Sequence, residues 1–244
     1  KLPTSPAPLP LRRFQLGVSF RSSLYSRFLI GRTTRKSFLF PKRGEGHLVE
    51  RYSRFVNRIT GGEGVHRPTL PFPPTPYPKP AVGINPGAAY GPAKRWPPEK
   101  FAEVANQLGE EFQVVLFGGP GEEWIVQKIE ERLKVPAVNL CGKLTLPELA
   151  SQIAGLSLFI TNDSGPMHIG VAYNVPLVAI FGPTDWRETS PYSPVAQIAR
   201  IPVECAPCKR RECPFGHHRC MVELSPARVV ELAHLAIKLK REIG

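Results

Sequence analysis

Residues 156–173 read LSLFITNDSGPMHIGVAY and contain the pattern that decides the fold. The apolar run LSLFI is followed at once by small and polar residues, and these lead into a helical stretch around residues 166–173. Apolar runs without strict alternation are typical of parallel strands that are covered on both faces. The stretch therefore predicts a strand, a tight turn and the start of a helix.

The same unit recurs from residue 81 onward. The other apolar runs are AVGIN (81–85), QVVLF (113–117), AVNL (137–140) and PLVAIF (176–181), and further helical stretches lie around residues 98–109, 121–134 and 146–154. A last helix is expected from Ser225 to about Ile243, because Ser-Pro supplies an N-cap followed by proline at the first helical position. Strands that alternate with helices predict an α/β fold with a doubly wound parallel sheet, Rossmann-like in type.

The amino-terminal part differs in charge. Residues 1–80 contain 15 Lys and Arg against 3 Asp and Glu, whereas residues 81–244 contain 17 of each sign. This excess indicates a region that faces a polyanion, namely nucleic acid, an anionic membrane surface or a phosphorylated glycolipid. Ordinary solvated surface charge explains the composition equally well.

Three segments carry the predicted structure of this part. Phe14 to Phe20 predicts a strand, Ser22 to Ile30 a helix, and residues 47–59 an amphipathic helix with a basic outer face. Seven prolines lie between Pro68 and Pro80 and indicate an extended linker. We therefore divide the chain into a partial amino-terminal domain (1–67), a linker (68–80) and a complete domain (81–244).

Open parallel sheets bind ligands at the carboxyl ends of their strands, so the loops after the apolar runs are candidate sites. In the loop at 161–168, the start of the helix offers backbone amides to a diphosphate, with Ser164 and Gly165 forming the small-residue turn. Asp163 can accept from a hydroxyl, and His168 can donate to a phosphate. The alternative is that Asp163 or Ser164 only caps the helix.

Three other loops follow strands. In residues 85–97, NPGAAYGPAKRWP, the small residues from Gly87 permit close backbone approach, and Lys94 is a candidate for stabilising a nucleoside diphosphate leaving group. In GGPGEE (118–123), Glu122 or Glu123 can accept from ribose hydroxyls, although acids in a first helical turn are also favoured by the helix dipole. FGPTD (181–185) is expected to shape the same cleft.

Four cysteines lie close together at Cys205, Cys208, Cys213 and Cys220. Thiolates at such spacings can bind zinc or an iron–sulfur cluster, but only the first pair has C-x-x-C spacing. Disulfides and reduced thiols are favoured over a metal, and we assign no metal ligand.

The motifs INPGA, AKRWP, LFGGPGE, NLCGKLTLPELA, TNDSGPMHIGVA, FGPTD and CAPCKRRECPFGHHRCM together resemble the ADP-heptose:lipopolysaccharide heptosyltransferases. The set spans residues 81–230 and is most similar to the heptosyltransferase II branch of glycosyltransferase family 9. GVSFRSSLYSR (17–27) and HLVERY (47–52) resemble the later part of that family's amino-terminal domain.

The resemblance implies a GT-B fold, in which two Rossmann-like domains face a cleft, and an inverting transfer that needs no metal and no cofactor. The donor ADP-heptose would be bound by Asn85, Gly87, Lys94, Glu122, Asp163, Ser164, Gly165 and His168. The acceptor would be an anionic core glycolipid at the inner membrane, where a basic region would favour peripheral contact. The cysteine usage, which does not resemble the framework of a small secreted disulfide domain, favours a cytoplasmic location. Nucleic acid is not an expected partner.

One family feature has no match here. The family's amino terminus carries its catalytic Asp in a G-D-x-x-x-T-like loop, and no such segment precedes Leu16, so the general base is not assigned. We expect an amino-terminally shortened heptosyltransferase. The alternative is a module that binds a nucleotide or nucleotide sugar without catalysis.

Overall fold

The computed structural model describes residues 14–19, 34–39 and 45–243. The chain forms two compact units, residues 1–66 and residues 67–244, and each is described by itself. The first unit contains the parallel strands β1 (Phe14–Ser19) and β2 (Thr34–Leu39), with Phe14 opposite Thr34. The predicted strand at 14–20 is therefore confirmed, whereas the predicted helix at 22–30 lies outside the described residues.

The predicted amphipathic helix is α1 (Leu48–Thr60). It begins where His47 Nδ1 accepts from the Val49 N–H at 3.1 Å, and it ends at Gly61, whose φ of 74° is left-handed. The helical spacing of this segment predicts an apolar face made of Leu48, Tyr52, Phe55, Val56 and Ile59. Tyr52 departs from that prediction, because it is 39% exposed and Ser53 is buried. The Ser53 hydroxyl donates to the Val49 carbonyl, which satisfies this polar group within the helix.

The second unit is an α/β sheet. Its strands are β3 (Ala81–Asn85), β4 (Gln113–Leu116), β5 (Ala137–Asn139), β6 (Leu158–Asn162), β7 (Leu177–Ile180) and β8 (Ala196–Ala199). Its helices are α2 (Pro98–Leu108), α3 (Glu123–Glu130), α4 (Leu146–Ala154), α5 (Gly165–Ala172), α6 (Trp186–Thr189), α7 (Arg219–Val222) and α8 (Pro226–Ile243), and a 3₁₀ helix spans Pro92–Lys94.

All six strands are parallel, in the order β5-β4-β3-β6-β7-β8. The chain winds outward from β3 to β5, returns to place β6 beside β3, and winds outward again on the other side. Neighbouring loops diverge at such a reversal and leave a crevice at the carboxyl ends of the two central strands. The predicted doubly wound parallel sheet is confirmed, and its reversal lies between β3 and β6.

The core has two layers, one on each face of the sheet. On one face Phe101 of α2, Ile129 of α3 and Leu232 of α8 pack against the strands. On the other face Ile153 of α4 and Met167 of α5 do so. Covering both faces explains why the strand sequences are continuously apolar rather than alternating.

Two strands depart from the sequence-based prediction. β6 begins two residues later than expected and continues through Thr161 and Asn162, which are fully buried. Their side chains are hydrogen-bonded within the protein, which offsets the penalty for burying polar groups. β8 is not predicted by the pattern, because AQIA is a short strand with polar Gln197 inside it.

The proline-rich stretch has no helix or strand between residues 61 and 80, as its prolines predict. Its residues 67–80 belong to the second unit and are hydrogen-bonded to α4 and to the end of α5. The Thr75 N–H donates to the Ser151 carbonyl, the Tyr77 hydroxyl donates to Gln152 Oε1 at 2.6 Å, and the Tyr173 hydroxyl donates to the Phe72 carbonyl. No described helix has both the length and the apolar character needed to cross a bilayer.

Candidate functional site

Two adjoining pockets, each of about 380 Å³, open at the carboxyl ends of β3 and β6. Ala89, Ser164 and Gly165 line both of them. We call the first the lysine pocket; its walls include Tyr90, Lys94, Asp163, His168, Thr184 and Glu188. We call the second the glycine pocket; its walls include Asn85, Gly87, Gly119, Glu122, Leu146 and Leu149.

An ion pair lies in the wall of the lysine pocket. Lys94 Nζ is 2.6 Å from Asp163 Oδ2, and the two side chains are only 12% and 6% exposed. The same ammonium donates to the Asp163 carbonyl at 3.3 Å and lies 4.8 Å from the centre of the Tyr90 ring. A compact cation held by one acid at the edge of a pocket can still donate its remaining hydrogens to a phosphate oxygen.

The turn that presents Lys94 depends on Gly91. This residue has a φ of 156°, and a Cβ at this position would lie 2.5 Å from the Arg211 carbonyl oxygen. The 3₁₀ helix starts immediately afterwards with Pro92 and ends at Lys94. The close approach of Gly91 to the Arg211 backbone therefore sets the position of the 3₁₀ helix that carries Lys94. Only glycine allows this approach, because it has no Cβ.

Two asparagines join the loops on the central strands. Asn85 Nδ2 lies 3.3 Å from Thr161 Oγ1 and also 3.3 Å from Ser164 Oγ. Asn162 Nδ2 donates to the Pro86 carbonyl at 2.7 Å, and its Oδ1 accepts from the Trp96 N–H. Asn85 was predicted as a donor-binding residue; it lines the glycine pocket, and its amide also orients Ser164. Asn162 was not predicted.

The start of α5 faces both pockets. Ser164 is its N-cap residue, but no side-chain hydrogen bond caps the helix, and the Asp163 carboxylate contacts Lys94 and Thr184 instead. The alternative that Asp163 or Ser164 serves only as a cap is therefore wrong. A Cβ at Gly165 would meet nothing within 4 Å, so the first helical turn borders open space. Its N–H groups and His168, which is exposed, can approach an anion.

The glycine pocket combines an acid with an apolar wall. Glu122 Oε2 accepts from the Gly119 N–H at 2.8 Å. A Cβ on Gly87 would lie 2.0 Å from that oxygen, so glycine at 87 leaves the space that the carboxylate occupies. Leu146 and Leu149 of α4 line the same pocket, and Leu146 is 69% exposed. An acid beside an apolar wall suits a nucleoside, which has ribose hydroxyls and a flat base.

The structure thus brings all eight predicted donor-binding residues to the two pockets. Lys94, Asp163 and His168 line the lysine pocket, Asn85, Gly87 and Glu122 line the glycine pocket, and Ser164 and Gly165 line both. Which ligand groups they bind remains a prediction. Thr184, Glu188 and Lys209 also line the lysine pocket and were not predicted, although Thr184 lies in the FGPTD motif.

The cysteine-rich segment supports the loop that carries Lys94. The Ala93 N–H donates to the Arg211 carbonyl at 3.0 Å, and His218 Nε2 lies 2.8 Å from the Ala93 carbonyl oxygen. The Tyr90 hydroxyl donates to the Lys209 carbonyl at 2.9 Å. These contacts attach residues 209–218 to the turn just before Lys94.

All four cysteines of this segment are free thiols, as is Cys141. Within the described ranges, no three His, Cys, Asp or Glu side chains are arranged to hold a metal ion. Burial raises the pKa of both the Cys141 and the Cys220 thiols to about 11. Burial would also raise the pKa of Cys213, but hydrogen bonds from the backbone N–H groups of residues 215–218 outweigh it and lower that pKa.

Comparison with known proteins gives one family. The family described as "Glycosyltransferase family 9 (heptosyltransferase)" matches residues 63–219. Lipooligosaccharide heptosyltransferase 2 of Campylobacter jejuni (serotype O:2) is 36% identical over 245 residues, which cover 93% of this chain and 76% of that protein. Lipopolysaccharide heptosyltransferase 2 of Escherichia coli K12 is 37% identical over 159 residues, which cover 63% of this chain and 45% of that protein.

Comparison with solved structures supports the same fold and family. The structure of the E. coli ADP-heptose lipopolysaccharide heptosyltransferase II superimposes with a TM-score of 0.59 at 34% identity, covering 67% of this chain and 48% of that one. A family 9 glycosyltransferase of Veillonella parvula gives a TM-score of 0.76 over 92% of this chain and 74% of that one; at 22% identity it supports the fold alone. The chain thus spans about half of the E. coli protein and three quarters of the Campylobacter one.

These findings confirm the resemblance drawn from the motifs and the prediction of a GT-B type fold with one complete Rossmann-like domain. All the residues that line the two pockets lie within the matched range, residues 63–219. This chain belongs to glycosyltransferase family 9, the heptosyltransferases.

Proposed function

We propose that the chain is a heptosyltransferase that transfers L-glycero-D-manno-heptose from ADP-heptose to the inner core of lipopolysaccharide, with inversion at the anomeric carbon. One observation carries the proposal: the Lys94 ammonium and the first turn of α5 border one pocket, which adjoins a second pocket formed by an acid and an apolar wall. A nucleoside diphosphate sugar has the matching sequence of apolar, hydroxyl-bearing and anionic parts.

The donor would lie across both pockets. Its adenosine would occupy the glycine pocket, with Glu122 accepting from a ribose hydroxyl and Leu146 beside the base. The diphosphate would pass the α5 amides at Ser164 and Gly165, which border both pockets, and reach Lys94. The heptose would then lie in the lysine pocket near Asp163 and His168.

The transfer step breaks the bond between the anomeric carbon and the diphosphate oxygen. The acceptor oxygen forms its new bond to that carbon from the opposite face, and its hydroxyl proton passes to a base. The leaving oxygen gains negative charge as the bond breaks. Lys94 and the helix amides are fixed donors close to this charge, which is the arrangement that stabilises such a transition state. No metal is required for this step.

The acceptor would be an anionic core glycolipid at the inner membrane. The strong basic excess of residues 1–80 would attract both the acceptor phosphates and the membrane surface. We therefore also propose a cytoplasmic location with peripheral membrane contact. Nucleic acid is not proposed as a partner, because the basic charge is the only feature that would favour it.

Calorimetry with ADP and a transfer assay with ADP-heptose and a heptose-deficient core acceptor test the proposal. We expect ADP to bind, and we expect efficient heptose transfer only when the family's amino-terminal segment with its catalytic Asp is supplied, because no general base is assigned in this chain. ADP binding without transfer even when that segment is supplied would favour the alternative of a non-catalytic nucleotide-sugar-binding module. Absence of ADP binding to the folded chain would overturn the assignment of both pockets.

A further inference from the structure

We propose that Thr184 is a positioning residue for the donor site: its hydroxyl fixes the Asp163 carboxylate in the orientation that places the Lys94 ammonium in the lysine pocket. This inference rests on the proposed function. It adds a third member to the ion pair, contributed by the FGPTD loop after β7.

The geometry centres on a single oxygen atom. Asp163 Oδ2 accepts from the Thr184 hydroxyl at 2.5 Å and from Lys94 Nζ at 2.6 Å. Both distances are at the short end for charge-assisted hydrogen bonds. The three residues come from the loops after β7, β6 and β3, so this oxygen joins three separate loops at the carboxyl edge of the sheet.

The hydroxyl restricts a motion that the ion pair alone permits. A carboxylate can rotate about its Cβ–Cγ bond, and a lysine side chain has many rotamers. The Lys94 contact alone allows the carboxylate to rotate while one of its oxygens stays near the ammonium. The Thr184 hydroxyl donates to the same oxygen, Oδ2, from a second loop and thereby restricts the rotation angle. The other oxygen, Oδ1, takes part in neither contact and is available to accept from a ligand.

The low exposure of the pair makes this orientation important. Lys94 and Asp163 are 12% and 6% exposed, so water can replace a lost hydrogen bond only in part. If the carboxylate turns away, the lysine loses its anchor and must be ordered by the ligand instead. That ordering would reduce the affinity for the diphosphate.

Calorimetry with ADP on the full chain tests the inference. We expect Thr184→Val to weaken ADP binding by about 3- to 10-fold, which is less than the direct loss of a hydrogen bond to a charged ligand would cost, because Thr184 acts on ADP only through Lys94. We expect Thr184→Ser to stay within about 2-fold of the unmodified chain. Ser193→Ala is the matched control. Its hydroxyl bonds Asn174 Oδ1 at 3.1 Å outside both pockets, so its loss should leave ADP affinity unchanged.

A double-mutant cycle separates positioning from a general structural effect. With Lys94→Ala as background, Thr184→Val has no ammonium left to position, so we expect no further loss of ADP affinity. Equal losses in both backgrounds would overturn the inference, as would an unchanged affinity in Thr184→Val. If the unmodified chain fails to bind ADP, the proposed function fails instead.

Folding is checked by circular dichroism for each variant. Thr184→Ala is measured in parallel, because it removes the hydroxyl without adding the second methyl group of valine. If both variants unfold while Thr184→Ser folds and binds ADP, the hydroxyl stabilises the fold rather than positioning Lys94, and the inference is overturned.

Discussion

The ammonium of Lys94 faces an acid on one side and an open pocket on the other. Because its partner Asp163 lies on the protein side, the cation is ordered before a ligand arrives, and less side-chain entropy is lost on binding. The ion pair has little exposure to solvent. The N–H groups of Lys94 that do not bond Asp163 therefore act in a less polar environment than those of a surface lysine.

We therefore predict that Lys94→Ala weakens ADP binding by on the order of 1–3 kcal/mol, the range for a charge-assisted contact. Calorimetry measures the change. Lys238→Ala is the control, since that side chain is 71% exposed on α8 and lies outside both pockets. Equal ADP affinity in Lys94→Ala and the unmodified chain would exclude Lys94 from the site.

Gly87 gives a prediction that depends on a neighbour. A Cβ at this position would lie 2.0 Å from the Glu122 carboxylate, so Gly87→Ala must displace the acid from the glycine pocket. We expect Gly87→Ala to weaken ADP binding, and Gly87→Ala added to Glu122→Ala to weaken it no further. Calorimetry on the two single variants and the double variant distinguishes these cases. A Gly87→Ala variant that binds ADP normally would contradict the assigned role of Glu122.

Residue patterns predicted much of the site because parallel sheets bring certain loops together. Lys94 and His168 are separated by many residues in sequence, but both follow central strands. Thr184 escaped prediction because a threonine after glycine and proline carries no chemical signal by itself. Its importance comes from a hydrogen bond across two loops, which no sequence spacing specifies.

At the scale of elements, the strands that form apolar runs were predictable, and the strand with a polar residue inside it was not. β3 has the predicted bounds, since each of its five residues is buried. β8 contains Gln197 and has only partly buried residues before Ala199, so it does not form an apolar run. In β6 the strand extends into Thr161 and Asn162 because neighbouring loops satisfy their polar atoms, which is a tertiary effect.

The cysteine-rich segment offers a test of thiol chemistry. Cys213 has a lowered pKa, whereas burial raises the pKa of Cys141 and Cys220 to about 11. The thiolate is the reactive form, so we predict that iodoacetamide modifies Cys213 before the other two at neutral pH. Its rate should reach a plateau at a lower pH than that of free cysteine. Peptide mass spectrometry after timed alkylation measures the order, and earlier modification of Cys141 would contradict it.

At the scale of the whole molecule, charge is divided unevenly along the chain. The excess of basic residues lies entirely in residues 1–80, while residues 81–244 are balanced. In the described part, α1 carries Arg54 and Arg58 as exposed side chains. The sequence predicted this uneven distribution of charge directly, because counting charged residues needs no knowledge of tertiary contacts. It did not indicate which polyanion is bound.

We predict that the chain associates with phosphatidylglycerol-containing vesicles and much less with phosphatidylcholine vesicles. Since screening weakens contacts between exposed charges, association should fall as salt rises from about 50 to about 500 mM. Co-sedimentation measures it. Arg54→Gln with Arg58→Gln should reduce binding more than Arg228→Gln with Lys238→Gln, which removes the same charge from α8. Equal loss in both double variants, or stronger binding to duplex DNA, would contradict a membrane role for α1.

The attachment of the cysteine-rich segment to the Lys94 loop has a consequence for natural variation. At positions 209 and 211 the atoms that hydrogen-bond the Lys94 loop belong to the main chain, namely the carbonyls of Lys209 and Arg211. Every amino acid supplies a carbonyl, so substitutions at these positions keep both hydrogen bonds, although they remove the Lys209–Glu188 ion pair or the contact of Arg211 with the Tyr90 ring. The φ of 53° at Lys209 disfavours β-branched residues there. An insertion or deletion there would shift every anchoring atom at once, and such length changes should be rarer among homologues than substitutions.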